Sequence, residues 1–280
     1  MRWRDRAGST NIEDRRGMSG GGMAVGGGLG GLVLLLLISA LTGQNPADLI
    51  NTASPGSDSA APGPVASDDP QAQFVSVVLK DTEMTWERIF AESGQSYEQP
   101  VLVLFSDATR SACGLGQAAM GPFYCPADRK VYLDLSFFRE LDERFGAPGD
   151  FAQAYVVAHE IGHHIQTLTG VSDQMQSARR RADERQANAL SVRQELQADC
   201  YAGVWGHYAS REGLLEPGDA EEGLRAAAAI GDDRLQRQTQ GTVVPESFTH
   251  GSSEQRVQWL QRGLESGRVD SCNTFAAGSR

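Results

Sequence analysis

The chain has 280 residues, with 25 Lys and Arg against 36 Asp and Glu and a formal charge of −11. Hydrophobic residues make up 40% and charged residues 22%, a globular balance that excludes a wholly disordered chain. So acidic a protein is a poor electrostatic partner for nucleic acid, and no nucleic-acid role is expected.

In chain order, residues 1–19 form a short basic segment with Arg2, Arg4, Arg6, Arg15 and Arg16. Residues 20–42 follow without a single charge (GGGMAVGGGLGGLVLLLLISALT), long enough for the ~20 residues that cross a bilayer. The positive-inside bias sets this expected anchor with its N-terminus in the cytoplasm and the remainder outside, a single-pass protein of the cell membrane. The rival is a cleaved signal peptide with Leu32–Ile38 as its apolar core. Residues 43–73, rich in Pro, Ser, Ala, Gly and Asp, read as a linker, and the folded head is expected over 74–280.

Within the head, Val75, Val78, Leu79, Trp86, Ile89 and Phe90 recur at helical spacing over 74–91. Val101–Phe105 and Lys130–Leu135 read as strands. Ser136 is a plausible N-cap for a helix to Phe145. Helical patterns then cover 151–168, 172–194, 195–210, 217–239 and 251–264. The expected fold class is α+β, mostly helical, with a small N-terminal sheet. Four cysteines permit three pairings. Cys113 and Cys125 bracket a Gly-rich loop that they could staple, which leaves Cys200 and Cys272 to tie a helix to the C-terminal tail. Disulfides would suit an exported head.

One motif carries most of the functional signal. His159, Glu160 and His163 form HExxH in a run of uncharged neighbours, Tyr155 to Ala158, Ile161 and Ile165. On a helix the two imidazoles lie one turn apart on one face and can close on one zinc ion, with Glu160 placed to reach a water that the metal activates. His164 is ~100° around the helix from His163 and reads as supporting structure. The longer HExxHxxGxxH pattern is excluded, because positions 166 and 169 are Gln166 and Thr169. The third metal ligand is expected to be Glu195, ahead of His207 and His250. Asp199, four residues on and on the same face, would hold the outer nitrogen of a zinc-bound histidine. His250 and Arg256 are candidates to bind the oxyanion of the transition state, with His250 preferred. The adjacent acids Asp232 and Asp233 read as helix caps.

These residues, together with Glu195–Gly203 (ELQADCYAG), Phe248–Ser252 (FTHGS), Gly121–Cys125 (GPFYC) and Gly231–Arg234 (GDDR), resemble the neutral zinc metallopeptidase family of bacterial membrane proteins. The opening Met1–Arg4 with Glu13–Gly17 is similar too. The resemblance implies a zincin-like fold with one N-terminal anchor. More distantly, HExxH…ExxxD with a later Thr-His and an Arg resembles membrane-linked zinc endopeptidases of the gluzincin type, although this chain has His-Gly where those often have His-Pro.

The expected function is a membrane-anchored zinc metallopeptidase acting on peptides or proteins. Zn2+ would sit on His159, His163 and Glu195, Glu160 would be the general base and His250 a further catalytic group. Val131–Leu135 is the strand expected to hold substrate in extended form. The alternatives are a zinc-binding assembly module without proteolysis and a zinc hydrolase of cell-wall amides.

Overall fold

The computed structural model describes residues 1–17 and 61–276. Its sheet is built from β1 (Ile12–Asp14), β2 (Val101–Phe105), β5 (Phe123–Cys125) and β6 (Lys130–Asp134), in the order β1-β2-β6-β5. β1, β2 and β6 are parallel and β5 is antiparallel to β6. Strand alternation divides the side chains cleanly. Ile12, Leu102, Leu104, Val131 and Leu133 point into the main core, whereas Val103, Phe105, Cys125 and Tyr132 form a second cluster on the opposite face. A hairpin, β3 (Ala108–Ser111) with β4 (Gly114–Gln117), lies between β2 and β5 in the chain. β6 is an inner strand, so the expected substrate-holding strand is corrected: the edge belongs to β5, and both sides of β6 are already hydrogen-bonded.

The helices are α1 (Pro70–Glu92), α2 (Ser136–Glu143), α3 (Asp150–Leu168), α4 (Val171–Arg179), α5 (Glu184–Arg211), α6 (Asp219–Ala229), α7 (Asp232–Gln240) and α8 (Ser253–Ser266). The expected break near 195 is absent. It falls instead before Glu184, where Asp183 and Gln186 form a reciprocal capping box that starts a single 28-residue helix. The expected helix 217–239 divides at Ile230 and Gly231. Both disulfides form, Cys113–Cys125 and Cys200–Cys272. Gly203 of α5 and Gly263 of α8 let the two helix backbones touch: a Cβ on Gly203 would lie 2.2 Å from the Leu260 carbonyl oxygen.

The expected single-pass topology is overturned. Residues Met1–Asp14 belong to the same compact unit as the chain from Pro62 onward. β1 pairs with β2 along its length, Ile12 is 2% exposed, and Asn11 donates to Glu83 of α1 at 2.7 Å. The Met1 ammonium lies 2.9 Å from Asp150 of α3 and 3.1 Å from Asp219 of α6. Two segments joined in one hydrogen-bonded sheet cannot stand on opposite faces of a bilayer. Among the described residues no helix is long and apolar enough to cross a membrane, and the segment 20–42 expected to do so lies outside them.

Candidate metal centre

The centre forms where α3 crosses α5. Gly162 sets the separation: a Cβ there would lie 2.9 Å from the Cα and the carbonyl oxygen of Ala198, so the two backbones are in contact. That contact brings Glu195 beside the two histidines. Its carboxylate oxygens lie 3.1 Å from His159 Nε2 and 3.4 Å from His163 Nε2.

The far sides of both rings are fixed. His159 Nδ1 is 2.9 Å from Asp199 Oδ1, a carboxylate that can only accept, so Nδ1 carries the proton. His163 Nδ1 is 2.9 Å from Gln166 Oε1. The amide orientation of Gln166 is not arbitrary, because its nitrogen donates to the Gln194 carbonyl at 2.7 Å and to Gln197 Oε1 at 3.1 Å. Its oxygen therefore faces His163 and Nδ1 again donates. Each Nε2 faces the carboxylate of Glu195, and in the neutral ring it offers its lone pair there. Two imidazole nitrogens and a carboxylate within 4.8 Å of one another, with a cavity on the open side, fit a catalytic zinc site in donor type and number.

Without a metal, protons take the place of the cation. Burial works against a charge on His159, but Asp199 and Glu195 outweigh it and push the ring up to about 10. Burial likewise opposes and Glu195 raises His163. Glu195 is held well below the usual carboxylate range, the pull of His163 and His159 overriding its burial.

Asp199 is itself completely buried. It accepts from the Tyr155 hydroxyl at 2.6 Å and from Arg256 through Nε and a terminal nitrogen, both at 2.8 Å. Arg256 is 3% exposed, and its guanidinium bonds to Asp199 and Tyr155 while also lining the cavity. Glu160 is buried beside the rings and lines the cavity; burial pushes its carboxyl up while His159 and His163 pull it back. His250 lines the same cavity with its ring half exposed. Its Nδ1 lies 3.2 Å from Asp232, which also accepts from the backbone N–H groups of Thr249, His250 and Gly251. Hydrogen bonding to Asp232 raises the pKa of His250, more than burial lowers it. His207 is turned away and bonds to the Leu264 carbonyl.

His164 is fully buried behind the site. Its Nε2 lies 2.6 Å from the Glu98 carbonyl and must donate, so Nδ1 accepts from the Tyr124 hydroxyl at 3.1 Å. Burial lifts Tyr124 to about 12 and lowers His164, which keeps both groups neutral. Tyr124 is the middle residue of the edge strand, so His164 fastens β5 to α3.

Gln166 and Asp232 are contributions that the sequence reading missed. Gln166 had a legible signal, three residues beyond His163 on the same helix face. Asp232 had none, because it acts on a loop 17 to 19 residues away.

The chain is 50% identical over 284 aligned residues to the uncharacterized protein YpfJ of Escherichia coli K12, covering 98% of this chain and 99% of that one. It is 46% identical over 192 residues to the uncharacterized proteins Mb2605 of Mycobacterium bovis and Rv2575 of Mycobacterium tuberculosis, covering 65% of this chain and 64% of each relative. No solved structure matches. The family described as "Putative neutral zinc metallopeptidase" matches residues 1–275, nearly the whole length. The chain belongs to that family, a family of peptidases whose cofactor is Zn2+ and whose substrates are peptides or proteins.

Proposed function

We propose that the protein hydrolyses peptide bonds at the centre on α3 and α5, with His159, His163 and Glu195 as the zinc ligands and Glu160 as the general base. Zinc, when bound, supplies a Lewis acid that polarises a carbonyl and lowers the pKa of a water to ~7. Glu160 takes the proton of the attacking water and passes it to the leaving amine. Its burial raises its proton affinity, which suits a group that must both accept and release a proton near neutral pH. Asp199 and Gln166 hold the two imidazoles with their lone pairs inward. His250, kept in place by Asp232, which also raises its proton affinity, donates toward the charge that develops on the carbonyl oxygen. The free edge of β5 accepts the substrate backbone in extended form, while its other edge stays paired with β6.

The convergence of two imidazole lone pairs and the Glu195 carboxylate beside Glu160, in one cavity of about 720 Å3, carries this reading. Its test is Glu160→Gln. That variant should keep stoichiometric zinc and an unchanged melting temperature but lose peptide cleavage by a factor of 10² or more (order of magnitude for a catalytic acid–base group,). Cleavage at the wild-type rate sinks the mechanism. Zinc binding with no cleavage by the wild-type protein would favour an assembly role instead.

A further inference from the structure

The cavity is not the same on the two sides of the metal centre. Val156, His159, Glu160 and His163 share one face of α3 at i, i+3, i+4 and i+7, and all four line the cavity. Val156 stands one turn before the catalytic pair, ~6 Å along the axis. Around it the wall is apolar. Phe137 comes from the first turn of α2 and Phe145 from just beyond its end, with ring centroids 6.4 Å apart, and Ile230 and Leu235 from the junction of α6 with α7. Beyond His163 the wall changes character, to Ser172, Asp173 and Gln176 of α4 and Gln194 of α5.

The cations beside the recess are engaged, Arg256 with Asp199 and Arg234 with the Phe145 carbonyl. Glu140 and Arg144 at its rim pair with each other at 3.5 Å, and the guanidinium of Arg144 lies over the Phe145 ring at 5.1 Å. Phe145 and Val156 are buried core residues, whereas Phe137, Ile230 and Leu235 keep part of their surface open to the cavity. Apolar surface left against water forgoes ~25 cal/mol per Å2, which a side chain entering the recess would recover. The recess opens directly onto the reacting groups, so its occupant is part of the substrate.

We propose that this recess is the specificity pocket of the enzyme and takes a large apolar side chain, of the Leu, Met or Phe class, from a residue next to the scissile bond. The proposal rests on the peptidase reading above. It assigns selection of the cleavage site to Phe137, Val156, Ile230 and Leu235 rather than to the zinc ligands. Charged side chains are disfavoured, because Phe137, Val156, Ile230 and Leu235 offer a desolvated charge no partner.

The test uses the full chain and a proteome-derived peptide library, with cleavage sites read by mass spectrometry. Wild-type sites should be enriched in Leu, Met or Phe at one position flanking the cut. Replacing that residue by Ser in a matched octapeptide should lower kcat/KM by roughly 10–200-fold, the span that apolar pockets achieve. Zinc-loaded Glu160→Gln should bind the apolar octapeptide at least ~10-fold more tightly than its Ser counterpart, which reads recognition without turnover. Leu235→Arg, at a half-buried position, should keep its zinc and shift the preference toward Asp and Glu. Ile230→Ala is the milder variant and should shift it toward Tyr and Trp. Cleavage with no apolar preference, or an unchanged preference in both variants, overturns the recess and leaves the peptidase reading standing. A wild-type protein that holds zinc and cuts no peptide overturns both.

Discussion

On the proposed ligand set, zinc and protons compete for the same lone pairs at His159 and His163. In the metal-free protein His159 titrates at about 10, so near pH 7.5 its ring is doubly protonated and Nε2 donates to Glu195. A histidine raised above its ordinary value stabilises the fold below pH ~6.5, and that contribution is lost as the pH rises through about 10. Zinc must displace the proton, so loading between those limits should release about one proton or more per ion, and affinity should fall as the pH falls. Calorimetric titration in two buffers of different ionisation enthalpy reads the release; heats independent of the buffer would contradict this account. His164 answers to a different rule. Replacing it by Phe removes the partner of the part-buried Glu98 carbonyl and one of the partners of the Tyr124 hydroxyl, which also bonds to Thr167, at a cost of about 1–3 kcal/mol in all. His164→Phe should lower the unfolding free energy by that order while leaving zinc content intact, and it should raise KM because β5 is no longer fastened to α3. An unchanged KM would detach the edge strand from substrate binding.

At the scale of elements, the centre depends on how closely two helices approach. α3 supplies HExxH and α5 supplies Glu195 and Asp199, and Gly162 against Ala198 fixes their spacing. A methyl group at 162 meets backbone, not a side chain that could swing away, so the helices must part by some tenths of an ångström. Gly162→Ala should cost about 1–3 kcal/mol of stability from overpacking. It should also weaken zinc binding, because Glu195 retreats from both Nε2 atoms. Chelator competition measures the second effect, and unaltered affinity would show that Glu195 can follow the histidines. The hairpin β3–β4 is tied to the edge strand by Cys113–Cys125, at the last residue of β5. The β5 edge is thus held at three points: by β6, by His164 through Tyr124, and by the disulfide.

For the whole molecule, the first 14 residues are structural. Ile12 completes the core face of the sheet, and Ser9 and Asn11 both bond to the buried Glu83 at 2.6 and 2.7 Å. Burial of Ile12 alone is worth about 1.5–3 kcal/mol. Deleting residues 2–14 should lower the melting temperature by roughly 10 °C, taking about 2–4 °C per kcal/mol for a domain of this size. An unchanged melting temperature would separate the N-terminal segment from the sheet and reopen the question of where it lies. The second disulfide acts over a longer range: Cys200–Cys272 spans 72 positions, and closing such a loop is worth about 4 kcal/mol in the chain-entropy account.

Much of the chemistry was legible without coordinates because it is local. HExxH places two imidazoles and a carboxylate within two turns of any helix, and ExxxD does the same for Glu195 and Asp199. The strands at 101–105 and 130–134 and most helices could be read from apolar period for the same reason. What the sequence could not decide were pairings between distant segments. β1 has three residues and no periodic signature, and it becomes a strand only because β2 offers an open edge. Its neighbouring arginines read as a topology signal, which the shared sheet overrides. The order β1-β2-β6-β5 determines which strands lie at the edges, and strand order is a property of the packed sheet. Asp232 reached His250, and Arg256 became the partner of Asp199, through contacts 18 and 57 residues apart. Local geometry follows from bond lengths and helical repeat, whereas such contacts depend on how all the helices fit together at once.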